Sequence, residues 1–190
     1  MATLHYVSQN NHPPNHRSLH PAIVDCSHNS LRETSKPIDL NNRSEAEQVW
    51  RKMESIMEEL RTIHDFRNSL GLSAIQIGIP LRMCIIWTPQ RGYIHMANPE
   101  ILEASAQVSS EYEGCLSFFD VRGRVARPYG ILTRYLQKDF TTKEQAFTSW
   151  SARIIQHEID HMNGIIYTDR MQAGERPIAY EDYLVLKMAG

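Results

Sequence analysis

Residues 154–164 read Ile154-Ile155-Gln156-His157-Glu158-Ile159-Asp160-His161-Met162-Asn163-Gly164, and the rest of the chain is read outward from them. A helical pattern over about Ser149 to Met162 stops at Asn163-Gly164, where a left-handed residue can close a helix. On that helix His157 and His161 stand four residues apart, so both imidazoles lie on one face and can meet a single metal ion. Glu158 follows the first histidine and can reach a water on that metal as a general base. Ile154, Ile155, Ile159 and Met162 make the helix half-buried, and a buried imidazole or carboxylate needs a partner.

Upstream, Ser44 to about Arg67 is a second helical pattern. Val49, Trp50, Met53, Ile56, Met57, Leu60 and Ile63 recur at three- and four-residue steps, and Ser44 with Glu47 predicts a capping box. Gly71 to Gly78 (GLSAIQIG) leads to Pro80. Strand-like runs follow over Arg82–Trp87, Tyr93–Asn98, Ile101–Val108 and Ile131–Leu136, with turn residues between them. A last helix is predicted from Pro177 to about Met188, with Tyr180, Tyr183, Leu184 and Val185 available for packing. Helix, strands, helix, helix implies an α+β fold: a compact single domain of mainly antiparallel strands around the metal-binding helix.

The first residues differ. Met1 to Pro37 holds His5, His12, His16, His20 and His28 together with Pro13, Pro14, Pro21 and Pro37. Prolines at that density oppose regular structure, so 1–30 is expected to be a flexible or loosely docked extension and 31–190 the domain proper. The spacing of His12, His16 and His20 would suit a metal on a helix, but Pro13 and Pro14 interrupt it.

With 190 residues the chain is one domain of ordinary size. Lysine and arginine total 20 against 22 acidic residues, a net charge of −2, which argues against a protein that binds nucleic acid by neutralising phosphates. The longest apolar run, Met83–Trp87, is too short to cross a bilayer, and no secretory leader is visible. Cys26, Cys84 and Cys115 form no disulfide framework, which makes the reducing cytoplasm the expected compartment.

Two histidines call for a third protein ligand and an open position for water. Downstream stand Asp169, Glu175, Glu181 and Asp182; upstream, Glu113-Gly114-Cys115-Leu116-Ser117 offers a soft, anionic thiolate in a tight backbone path, and is the better candidate. GLSAIQ, EGCLS and QHEIDHMNG, in that order and near these separations, resemble the three signature motifs of peptide deformylases, over about Ser30 to Met171. Carried over position by position, the resemblance implies Cys115, His157 and His161 as metal ligands and Glu158 as the acid/base. It implies the Gln76 side chain and the Leu116 backbone N–H as donors to the developing oxyanion, and Gly71, Leu70, Gly114, Arg122, Trp150 and Ile154 along the substrate. It further implies an Arg127–Asp160 ion pair and one divalent cation, Fe²⁺ in the native state with Zn²⁺, Ni²⁺ or Co²⁺ able to take the site. The activity implied is hydrolysis of the N-formyl group of formyl-methionine on nascent peptides, including ribosome-associated chains, with formate released and neither membrane nor nucleic acid involved.

Four positions depart from the motifs: Ser69 and Ser149 stand where glycine is usual, Ser73 where alanine is, and Phe119 where proline is common. The metal and acid/base positions are intact, so the departures bear on the substrate. Two other readings follow, an amidase for a formylated small molecule and a non-catalytic binding protein that keeps its metal as a structural element.

Overall fold

The run Met83–Trp87 is apolar throughout because its strand is buried on both faces. Met83 and Ile85 belong to a cluster with Val49, Trp50, Met53 and Met57 of the long helix, whereas Cys84 and Ile86 belong to a second cluster with Ile155, Ile159 and Met162 of the metal-motif helix. Side chains alternate along a strand, so one short run serves two helices. The computed structural model describes residues 20–63 and 69–189. In chain order the elements are α1 (Arg43–Ile63), β1 (Leu70–Ser73), β2 (Met83–Thr88), β3 (Gly92–Ala104), β4 (Val108–Cys115), β5 (Phe118–Pro128), β6 (Gly130–Leu136), β7 (Thr142–Thr148), α2 (Ser149–Met162), β8 (Ile178–Ala179) and α3 (Tyr180–Ala189). A five-stranded antiparallel sheet, ordered β1-β2-β3-β6-β7, lies between α1 and α2; β4-β5-β8 form a second antiparallel sheet. The α+β reading holds.

Several expectations change in detail. α1 begins at Arg43, so Ser44 sits inside its first turn, donates to Asn42 Oδ1 at 3.0 Å and makes no capping box with Glu47. The apolar stripe ends at Leu60, since Ile63 is 64% exposed; residues 64–67 lie outside the described residues. The two runs around Pro99 join in one strand, β3, which ends at Ala104 while Val108 opens β4; its register against β6 shifts between Ala97 and Glu100, where proline has no N–H to give. β5 gives no strand signal in the sequence because its inward positions are Val121, Gly123, Val125 and Arg127, a strict alternation only half of which is apolar. α3 packs no residue into the core: Tyr180 and Tyr183 are half-buried, while Leu184 and Val185 are exposed.

The loosely docked extension expected over 1–30 is docked from His20 onward. Ile23 is buried in the α1 cluster, and the Val24 N–H donates to the Gln76 carbonyl at 2.9 Å. His5, His12 and His16 lie outside the described residues.

The ends of α2 decide where its ligands point. Asn163 and Gly164 (φ +73°) close it, with the Gly164 N–H on the His161 carbonyl at 3.1 Å. At its start Ser149 has φ +54°, the left-handed region, and donates its N–H to the Tyr129 carbonyl at 2.7 Å. Serine there carries a steric cost that glycine avoids. Ser149→Gly is therefore expected to raise unfolding stability by up to about 1 kcal/mol, read as a higher urea midpoint with an unchanged m-value.

Candidate active site

Three local structures deliver the site. After β1 the chain turns into a single 3-10 turn, Ala74–Ile77, which faces Gln76 inward: its Oε1 accepts the Ser73 N–H at 2.9 Å. That bond fixes the amide, and Nε2 points at Cys115 Sγ (3.4 Å) and Ser117 Oγ (3.2 Å). The tight β4–β5 turn carries Cys115 and Leu116. α2 supplies His157, Glu158 and His161 from its buried side.

The three donor groups converge. Cys115 Sγ stands 3.2 Å from His161 Nε2, which stands 3.2 Å from His157 Nε2, and all three atoms lie within 4.8 Å of one another. His157 Nδ1 lies 3.0 Å from Glu113 Oε2; a carboxylate only accepts, so Nδ1 donates there and Nε2 faces the centre. Burial lowers the proton affinity of His157, yet hydrogen bonds and charges from Cys115 and Glu113 hold it well above the usual imidazole value, so the spot attracts positive charge. Burial, reinforced by His157, pushes His161 well below that value, toward the neutral form a metal ligand needs. A thiolate and two imidazoles suit a borderline divalent cation, and this donor set fits one.

Beneath the ligands lies a buried ionic network. Arg127 donates to both Glu113 oxygens (2.6 and 2.9 Å) and to Asp160 Oδ2 (2.8 Å), Arg153 donates to Glu113 Oε1 (2.6 Å), and Arg170 reaches Asp160 Oδ1 (2.7 Å). Burial drives the Glu113 carboxyl up, but His157 and Arg127 more than offset it and hold the group well below the usual carboxylate range. Glu158, also buried, is pushed above that range by desolvation, only partly countered by His157 and the Ser73 hydroxyl.

Above the ligands opens a cavity of about 660 Å³. Leu70, Gly71, Gln76, Gly114, Cys115, Leu116, Arg122, Trp150, Ile154, His157 and Glu158 all line it, and His161 lies fully buried just below. The structure thus brings every residue singled out from the motifs to one place. Residues 21–177 match the sequence profile described as polypeptide deformylase.

The chain belongs to the polypeptide deformylase family. Peptide deformylase from Chlorobium phaeobacteroides is 36% identical over 152 residues, 77% of either chain. The class I type b peptide deformylase of Acinetobacter baumannii superposes with a TM-score of 0.70 at 34% identity, over 78% of this chain and 97% of that one. Its Met-Ala-Ser-bound form gives 0.69 at 32% identity, over 78% and 96%. The family implies a divalent metal, and this chain is an enzyme of that type.

Some cavity residues escaped the motif reading. Tyr180, Tyr183, Leu184 and Lys187 make an outer wall from α3, and Arg153 lies below it. The helix itself is expected from the sequence, but its role as a wall is not, because its face meets a cavity and not a core. Phe119 is docked on that wall, its ring 6.2 Å from Tyr180, and Arg122 lies over Tyr180 at 4.5 Å. Ser69 has no positive φ, so serine costs the backbone nothing there.

Glu113→Gln is expected to weaken metal retention by about 10–100-fold, measured by competition with a chelator. The folded value of Glu113 lies below its unfolded one, so its stabilisation is whole above about pH 4.3 and is lost as pH falls toward the folded value. Urea unfolding at graded pH should accordingly show the parent losing stability more steeply than Glu113→Gln below about pH 5.

Proposed function

We propose that this chain hydrolyses the formyl amide of N-terminal formyl-methionine on nascent peptides, with Cys115, His157 and His161 holding the cation and Glu158 moving the proton. The observation that carries this is the convergence of those three donors beside Gln76 and Glu158 at the floor of one cavity. A divalent cation bound there acidifies a water and polarises a carbonyl oxygen. Glu158 takes the proton of the attacking water as its oxygen bonds to the formyl carbon. The negative charge that develops on the carbonyl oxygen meets the Gln76 amide and the Leu116 N–H. As the C–N bond breaks, Glu158 returns the proton to the amine, and formate leaves. A formyl group carries hydrogen where other acyl groups carry carbon, so a close-fitting floor selects it by size.

The peptide reading is favoured over a small formamide by the strand edges. β1 ends the five-stranded sheet and β4 ends the other, and both contribute cavity lining, Leu70 and Gly71 from one and Gly114 from the other. An extended chain can pair its backbone with such edges. Leu70, Trp150 and Ile154 offer apolar surface for a methionine side chain, and the α3 wall extends the cavity for later residues. The Acinetobacter baumannii enzyme has been crystallised with Met-Ala-Ser bound, a peptide of this class. We assign Fe²⁺ as the native cation, with Zn²⁺, Ni²⁺ or Co²⁺ able to replace it, since thiolate and imidazole ligands suit all four. Ribosome-associated chains are the expected partners and the cytoplasm the expected compartment, where the Cys115 thiol stays reduced. No helix among the described residues is long and apolar enough to cross a membrane.

Iron-loaded protein kept anaerobic is expected to release formate from formyl-Met-Ala-Ser, with a kcat/KM well above that for N-formyl-methioninamide, because peptide contacts remote from the formyl group contribute to the transition state. Glu158→Gln should abolish release, and Gln76→Ala should slow it by about 10²–10³-fold. A filled metal site with no release from the peptide would overturn the assignment.

A further inference from the structure

β1 places two residues at the metal-motif helix, and strand alternation selects them. Leu72 turns toward the α1 cluster, so Gly71 and Ser73 share the opposite face, toward α2. A Cβ on residue 71 would stand 2.2 Å from Glu158 Oε1, so the carboxylate occupies the space that a side chain there would fill. Its other oxygen, Oε2, accepts the Ser73 hydroxyl at 2.6 Å, and the Glu158 carbonyl lies 3.1 Å from that same hydroxyl. Both residues are buried, and among the described residues Ser73 supplies the one hydrogen bond to this carboxylate. The backbone N–H of Ser73 meanwhile holds Gln76 Oε1, which aims Nε2 at Cys115.

We propose that Ser73 is a positioning residue for the hydrolysis: its hydroxyl holds the Glu158 carboxylate in the one orientation from which it meets the attacking water, while its backbone orients Gln76. The inference rests on the acid/base role of Glu158. A buried glutamate has several rotamers of similar cost, and a proton acceptor displaced by a fraction of an ångström loses rate, not affinity for substrate. Serine in place of the usual alanine thus adds a hydroxyl aimed at the group whose placement matters most.

Ser73→Ala removes that hydroxyl and leaves the N–H to Gln76 in place. With formyl-Met-Ala-Ser, kcat is expected to fall by about 10-fold or more while KM stays within about two-fold and metal bound per chain is unchanged. In a Glu158→Asp background, whose carboxylate is drawn back by one methylene from the hydroxyl, adding Ser73→Ala should change the residual rate less than about two-fold. A kcat within two-fold of the parent overturns the proposal, as does an equal loss in both backgrounds, which would mark a general packing role. If Glu158→Gln itself retained turnover, the assignment of Glu158 would fall instead, which keeps the two failures apart.

Discussion

The Glu113 carboxylate holds the molecule's active half together. Taking such an ion out of water costs several kcal/mol, which is recovered only when its oxygens are well satisfied. Here Arg127 from β5 and Arg153 and His157 from α2 all donate to it. Four N–H groups on two elements must meet one side chain of a third, and few arrangements of strand and helix allow that. Cys115 follows two residues later on the same strand, so the distance from thiol to imidazoles is set by the same contact. The ligand cluster is a consequence of the network below it.

That network also explains how a helix as polar as α2 can be buried. Arg153, Gln156, His157, Glu158, Asp160 and His161 are all sequestered from water. Each carboxylate meets a donor, and Gln156 donates to the Pro128 carbonyl at 3.0 Å. The departures from the family motifs fall into this pattern by position. Ser149 bears left-handed strain where the helix begins, Ser73 adds a donor to its glutamate, and Phe119 joins the β4–β5 turn to the outer wall.

Much of this was legible in the residues. The spacing of His157 and His161, the stripe on α1 and the Asn163-Gly164 stop needed only periodicity, and α2 runs over the expected span. The residues that the short motifs name lie together around one cavity. Legibility ended where burial was polar: β5 hides its alternation behind Gly123 and Arg127, and Arg153 looks like any surface arginine until Glu113 is beside it. It also ended where an element faces empty space. α3 is legible as a helix, but with no residue in the core its Tyr180 and Tyr183 read as packing residues and not as a cavity wall.

The two-faced strand β2 has a consequence for how the protein comes apart. Met83 and Ile85 lock into the α1 cluster, and Cys84 and Ile86, their immediate neighbours, into the cluster behind the metal ligands. Loosening α1 would free one face of this strand and tilt the other, so the two halves have no independent way to melt. Loss of the α1 core and loss of the donor cluster behind it would then be a single cooperative event.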